Sequence, residues 1–190
     1  MKMFVFAALA AVFGCASAAW GQSADFKCAK DGTVVEYSDG SRATWVARQG
    51  STCMVKNLST TGEETNNLFY APTLSLRAER SQAFAEKIKS SSLWPLTVGK
   101  KLTGRYEGVG DNTTGTGSWN ETITVDSYEK VMTKAGTFDV FVVTRKEDSL
   151  SSNYKSTARS WYAPTLGVTV KFTFVNNNGT NRAAEAVSIR

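Results

Sequence analysis

The chain contains no histidine. That excludes Ser-His-Asp and Cys-His catalysis, histidine-ligated zinc or haem, and imidazole proton shuttles. Only three cysteines occur in 190 residues. With no C-x-x-C spacing and no histidine, a redox-active or metal-binding cysteine pair has no support. No G-x-S-x-G nucleophile elbow is present. No basic run exceeds two residues, and the excess of 22 Lys and Arg over 17 Asp and Glu is modest. Nucleic acid is therefore not an expected partner. Nor does any apolar run reach the roughly 20 residues that a transmembrane helix needs.

What is present begins at the N-terminus. Met1-Lys2-Met3 is a short basic start, Phe4 to Gly14 is an unbroken apolar run, and Ala16-Ser17-Ala18 is a small-x-small cleavage pattern. Together they read as a signal peptide over 1–18, with a mature protein beginning at Ala19 and working in the periplasm or outside the cell. Val12-Phe13-Gly14-Cys15 also resembles a degraded lipobox. The alternative is a lipoprotein anchored through Cys15. After conventional cleavage, 21 basic residues face 17 acidic ones, a charge of +4.

Cys28 and Cys53 survive cleavage, and two thiols in an exported chain are most simply one disulfide. They bracket strand-like segments Gly32–Ser38 and Arg42–Gln49, joined at the turn-forming pair Asp39-Gly40. A hairpin there brings the flanking cysteines together.

Most of the chain reads as strands. Val168, Val170, Phe172 and Phe174 alternate with Thr169, Lys171 and Thr173, which predicts a half-buried strand with the apolar set facing the core. Asn178-Gly179 turns it into a strand at Arg182–Ile189. Trp119, Ile123 and Val125 share one parity. Val131–Lys134, Ala135-Gly136 and Phe138–Arg145 form a hairpin pattern, and Val140–Val143 is apolar throughout, as suits burial on both faces. Asn153–Tyr162 is the natural partner of the strand after Gly167. Ala78 to Lys89 has no Pro or Gly and places Phe84 and Ile88 on one helical face. It predicts a single helix at about 78–89.

The expected fold is mainly β: an antiparallel sandwich or barrel-like sheet of roughly nine to ten strands with one covering helix. Residues 19–24 form a flexible tail and 25–190 one β-rich domain. That domain divides into a disulfide-linked hairpin region (25–75), the helix and a C-terminal β region (94–190).

Candidate chemistry is sparse. Ser127-Tyr128-Glu129-Lys130 and Ser152-Asn153-Tyr154-Lys155 match S-x-x-K, but in strand or loop context rather than on a helical turn. The glycine-rich stretch Gly108–Gly117 lacks the Lys-Ser or Lys-Thr and the following helix of a phosphate loop. It reads as a hairpin loop, and Asp111 and Asn112 lack EF-hand spacing. Glu185 shares parity with Ala183, Val187 and Ile189, which makes it the candidate buried carboxylate. Such a group is either paired with Arg or Lys or functionally perturbed. Trp45, Trp119, Trp161 and Tyr162 are the candidate ligand-surface aromatics. No metal, cofactor or catalytic residue is expected. Tyr-Ala-Pro-Thr-Leu occurs twice, at Tyr70–Leu74 and Tyr162–Leu166. Both copies have the form of a proline turn ending a strand.

Pro95-Leu96-Thr97-Val98-Gly99-Lys100, then Ala135-Gly136-Thr137-Phe138-Asp139, then Trp161-Tyr162-Ala163-Pro164-Thr165-Leu166-Gly167 with Val170-Lys171 carry a resemblance. Over about 94–171 the chain resembles a family of uncharacterised exported β-rich domains of Gram-negative bacteria. Lys134 stands where many relatives have Pro before the turn. The resemblance implies an extracytoplasmic β domain and supplies no catalytic residues. The functional expectation is a periplasmic binding or envelope-accessory domain for an apolar or amphipathic ligand or an envelope protein. The alternatives are a carboxylate-dependent envelope hydrolase and a structural or protein-interaction module without a small-molecule ligand.

Overall fold

A computed structural model describes residues 21–49, 52–72, 74–77, 93–109 and 116–190. The signal peptide with Cys15, the expected helix at 78–89 and the centre of the glycine-rich loop lie outside the described residues.

The described residues form thirteen strands. They are β1 (Ser23–Ala24), β2 (Val34–Tyr37), β3 (Arg42–Gln49), β4 (Thr52–Leu58), β5 (Glu64–Ala71), β6 (Leu74–Arg77), β7 (Leu96–Thr97), β8 (Lys101–Val109), β9 (Thr116–Thr133), β10 (Gly136–Ser149), β11 (Lys155–Ala163), β12 (Val168–Asn176) and β13 (Asn181–Ile189). The count exceeds the nine to ten expected, although the segments around Trp119 and Val131 merge into the single 18-residue β9. Strand β1 pairs with β7. Residues 23–24 are thus part of the fold, which corrects the expected flexible tail.

The other eleven strands form one antiparallel sheet in the order β6-β5-β4-β3-β2-β13-β12-β11-β10-β9-β8. Two meanders, β2 to β6 and β8 to β13, meet where β13 pairs with β2. The sheet is open, with β6 and β8 as its edges. It is nevertheless rolled. Phe69 on β5 stacks on Tyr162 on β11 at 6.2 Å between centroids, across five intervening strands. Ala135, in the β9–β10 turn, donates its N–H to the Ala186 carbonyl of β13 at 3.0 Å. Thr169 Oγ1 reaches the Pro72 carbonyl at 3.5 Å. The architecture is the expected mainly β antiparallel fold, built on one open sheet whose ends fold toward each other.

Rolling gathers both meanders around one core. Val35, Ala43, Trp45, Val55 and Phe69 enter it from the first meander, and Ile123, Val125, Phe141, Val143, Val170 and Ala186 from the second. All four residues of Val140–Val143 are buried, as their unbroken apolar run requires. On β12, Val168 and Val170 are buried and Phe172 packs against the core. Phe174 lies further along the same face and is only half-buried.

The turns carry the residues their geometry demands. Gly40 (φ +85°) and Gly179 (φ +91°) close the β2–β3 and β12–β13 connections, where a positive φ excludes most side chains. Gly167 (φ +74°) closes β11–β12, and an added Cβ there would lie 2.7 Å from the Ala29 nitrogen and 2.8 Å from the Cys28 carbonyl carbon. This turn is held against the N-terminal segment by Tyr162 Oη donating to the Lys27 carbonyl at 3.1 Å. Cys28 is bridged to Cys53 of β4 with a Cα–Cα distance of 5.6 Å. The disulfide joins that N-terminal segment to the first meander, and Gly167 seats the second against it. Both Tyr-Ala-Pro-Thr-Leu copies fall at corners between antiparallel strands, β5–β6 and β11–β12, and each pair carries a register shift there.

Candidate functional site

The inner face of the sheet holds the core and the chemically notable groups. Along β9, Trp119, Glu121, Ile123 and Val125 alternate on that face. Opposite them on β10 stand Ser149, Glu147, Arg145 and Val143. Opposite Glu147, Arg145 and Val143 on β11 stand Ser156, Ala158 and Ser160. Register alone thus collects two carboxylates and one guanidinium. Arg145 Nε donates to Glu121 Oε1, and Arg145 Nη2 donates to Glu147 Oε1 at 3.1 Å. Ser156 Oγ donates to Glu147 Oε2 at 3.2 Å. Glu121, Arg145 and Glu147 are 6%, 3% and 1% exposed.

Charges this deep persist only when paired and hydrogen-bonded. The triad meets that condition, with its guanidinium shared between carboxylates on facing strands. A hydrolase would need the two carboxyl groups open to substrate on opposite sides of a scissile bond. Here both are bound by Arg145 and closed to solvent. The arrangement reads as a structural ion cluster.

Beside it, Trp119 meets Tyr154 edge-on at 5.8 Å. Tyr154 is 6% exposed, and its hydroxyl is buried without a hydrogen-bond partner among the described residues. Two more inner-face atoms share that condition, Trp45 Nε1 and Asn67 Oδ1. Cross-strand pairing places both in one row: Trp45 on β3 faces Val55 on β4, which faces Asn67 on β5. In the next row Ala43 faces Asn57, which faces Thr65, and both polar side chains are half-buried. On this part of the inner face, buried apolar residues grade into half-buried polar ones.

Several expected site residues lie elsewhere. Glu185 is not the buried carboxylate. It sits opposite Lys171 on the outer face, while its neighbours Ala184 and Ala186 point into the core. Parity misleads here because alanine occupies both registers. A register shift between Ala186 and Ser188 then turns Ile189 inward as well. Trp45, Trp119, Trp161 and Tyr162 do not form an exposed aromatic surface. They are 3%, 2%, 9% and 0% exposed. Trp45 and Tyr162 are packed in the core. Trp161, opposite Lys171, is covered by charged side chains. Its ring lies 5.2 Å from the Arg159 guanidinium and 4.8 Å from Lys171 Nζ, and its Nε1–H donates to Glu129 at 3.1 Å. Long basic stems here shield an outward-facing indole.

Four groups at the β2–β13 junction and in the core are perturbed in ways their surroundings explain. Burial pushes the Asp39 carboxyl up, but hydrogen bonds from Ser41 and Arg182 outweigh it and hold the group below its ordinary value. Glu36 is lowered by hydrogen bonds from Arg190 and Ser188. Burial raises the Tyr37 and Tyr162 hydroxyls far above their ordinary value.

No family model matches this chain, and no curated protein sequence matches it. Among solved structures, it is similar to one from Parabacteroides distasonis ATCC 8503 described as a lipoprotein, at 10% identity over 89% of this chain and 100% of that one, with a TM-score of 0.44. An exported protein with a YmcC-like fold from Bacteroides fragilis NCTC 9343 matches at 13% identity over 88% of this chain and 99% of that one, with a TM-score of 0.42. The hypothetical lipoprotein YmcC from Escherichia coli K12 matches at 10% identity over 82% of this chain and 83% of that one, with a TM-score of 0.46.

Proposed function

We propose that this protein is an exported, non-enzymatic accessory domain of the cell envelope that holds an amphipathic molecule against the inner face of its rolled sheet. The observation that carries the reading is the mixed character of that face. Fully apolar packing would leave no polar atom to satisfy. Here Trp45 Nε1, Asn67 Oδ1 and Tyr154 Oη are buried without partners among the described residues, and native proteins rarely leave such atoms unmatched. A ligand with an apolar body and a hydrogen-bonding head supplies what they lack. Export is supported by the signal-peptide pattern and by the Cys28–Cys53 bridge, which suits an oxidising compartment.

Native mass spectrometry of the protein purified from a Gram-negative host tests binding directly. A non-covalent adduct of a few hundred daltons, released on denaturation, is the expected result. An adduct-free protein that also fails to bind any member of an amphiphile panel would reject the reading. The same sample reports processing. A mature chain starting at Ala19 without an acyl group is expected, whereas a glyceride adduct on Cys15 would establish the anchored form.

A further inference from the structure

We infer that the Trp45–Asn67 row is the head-group end of the binding site, and that it selects a neutral hydroxyl-bearing amphiphile over a charged one. The inference rests on the binding function proposed above and specifies its ligand.

Trp45 Nε1 is a donor and nothing else, and Asn67 Oδ1 is an acceptor. Both are buried, and neither has a partner among the described residues. They stand on the same face, two strands apart, with Val55 between them. Two strand spacings amount to about 10 Å between backbones, a gap that a long side chain narrows. The indole does lean that way: its ring lies 6.5 Å from that of Phe69, which is on β5 two residues beyond Asn67. The donor on β3 and the acceptor on β5 therefore stand on either side of Val55.

A group that satisfies both atoms must accept from the indole and donate to the amide oxygen. A hydroxyl does both. A carboxylate accepts only, and a quaternary ammonium does neither. Placing either charge at a buried site with no counter-ion in the row is also unfavourable. The surroundings fit an amphiphile. Asn67, Thr65 and Asn57 are half-buried on the solvent-reaching side of the face, and Val55 and Phe69 are buried beside them.

The test uses the mature chain and three probes with one tail: 1-octanol, octanoate and octyltrimethylammonium. The readout is the indole N–H resonance of Trp45, assigned by its loss in Trp45→Phe. Octanol should shift it saturably, and both charged probes should bind at least about tenfold more weakly. Asn67→Leu, at a half-buried position, should weaken octanol binding about fivefold, the equivalent of one ordinary hydrogen bond. Octanol binding that moves other inner-face signals but not that of Trp45 would overturn this inference and leave the binding function standing. Equal binding of all three probes would do the same. Tighter binding of octanoate would mean that the Asn67 amide presents its NH2 group inward, and would reverse the head-group assignment. Failure of every probe, with ordered water found on both atoms, would overturn the inference and count against binding.

Discussion

At the residue scale the decisive positions are those where one side chain holds several buried groups. Arg145 is one, since it binds two buried carboxylates. Removing it leaves Glu121 and Glu147 buried and facing each other across β9 and β10. Arg145→Met should therefore cost about 3–5 kcal/mol, the range for breaking a buried ion pair from one side. Urea denaturation measures this, and a loss below about 1 kcal/mol would mean that the carboxylates are neutral or solvated in the native state. Gly167 matters for the opposite reason. Any β-carbon there meets the backbone of Cys28 and Ala29 at under 3 Å while the residue is held at positive φ. Gly167→Ala should destabilise by about 2 kcal/mol or more, since both backbone strain and displacement of a packed segment apply. The triad was missed from sequence, with Glu185 chosen instead, although one signal was there. Glu121 has the parity of Trp119, Ile123 and Val125, so a charge on an apolar face was visible in the strand. What the strand cannot display is its partner. Arg145 is 24 positions away, and only the β9–β10 register brings it opposite.

At the scale of elements, the second meander was the more readable. Its hairpins at Ala135-Gly136, Gly167 and Asn178-Gly179 fall where turn chemistry places them, because each needs a residue that tolerates positive φ. Alternation on β12 also holds, with Val168 and Val170 fully buried. Phe172 packs edge-on against Tyr37 at 5.3 Å, while Thr173 pairs with Arg159 on the opposite face. Phe172→Ala should cost about 2–3 kcal/mol, somewhat less than a fully buried phenylalanine. Thr173→Ala should stay within about 0.5 kcal/mol. Matched urea melts decide between them, and equal midpoints would place the strand the wrong way round. Short or irregular strands were harder to read. β1 and β7 are two residues each and carry too few positions for a period to show. β13 defeats parity reading because a register shift changes which face its residues occupy.

At the scale of the molecule, the two meanders depend on one seam. Along it Asp39 binds Arg182, Glu36 binds Arg190, and Val34 and Arg190 exchange backbone hydrogen bonds. Because that seam is continuous with a shared core, both halves should unfold together. Single-tryptophan variants reporting from Trp45 and from Trp119 should melt at the same urea concentration, and separated midpoints would reveal two cooperative units. Acid should loosen the seam. Asp39 and Glu36 are held below their ordinary values of 3.8 and 4.5. Their contribution is therefore complete above those values and is lost as pH falls through the lower folded ones. Asp39→Asn should flatten the fall in stability below about pH 4, and an unchanged acid limb would remove Asp39 from the account. The strand order also has a consequence in time. A chain emerging N-terminus first delivers β2 early and its neighbour β13 last. Until then β2 offers one open edge to any other strand nearby, the exposure that promotes wrong pairings. The β2–β13 seam is thus a strand pairing that must wait for the end of the chain, and its late closure lengthens the time for which β2 stays exposed.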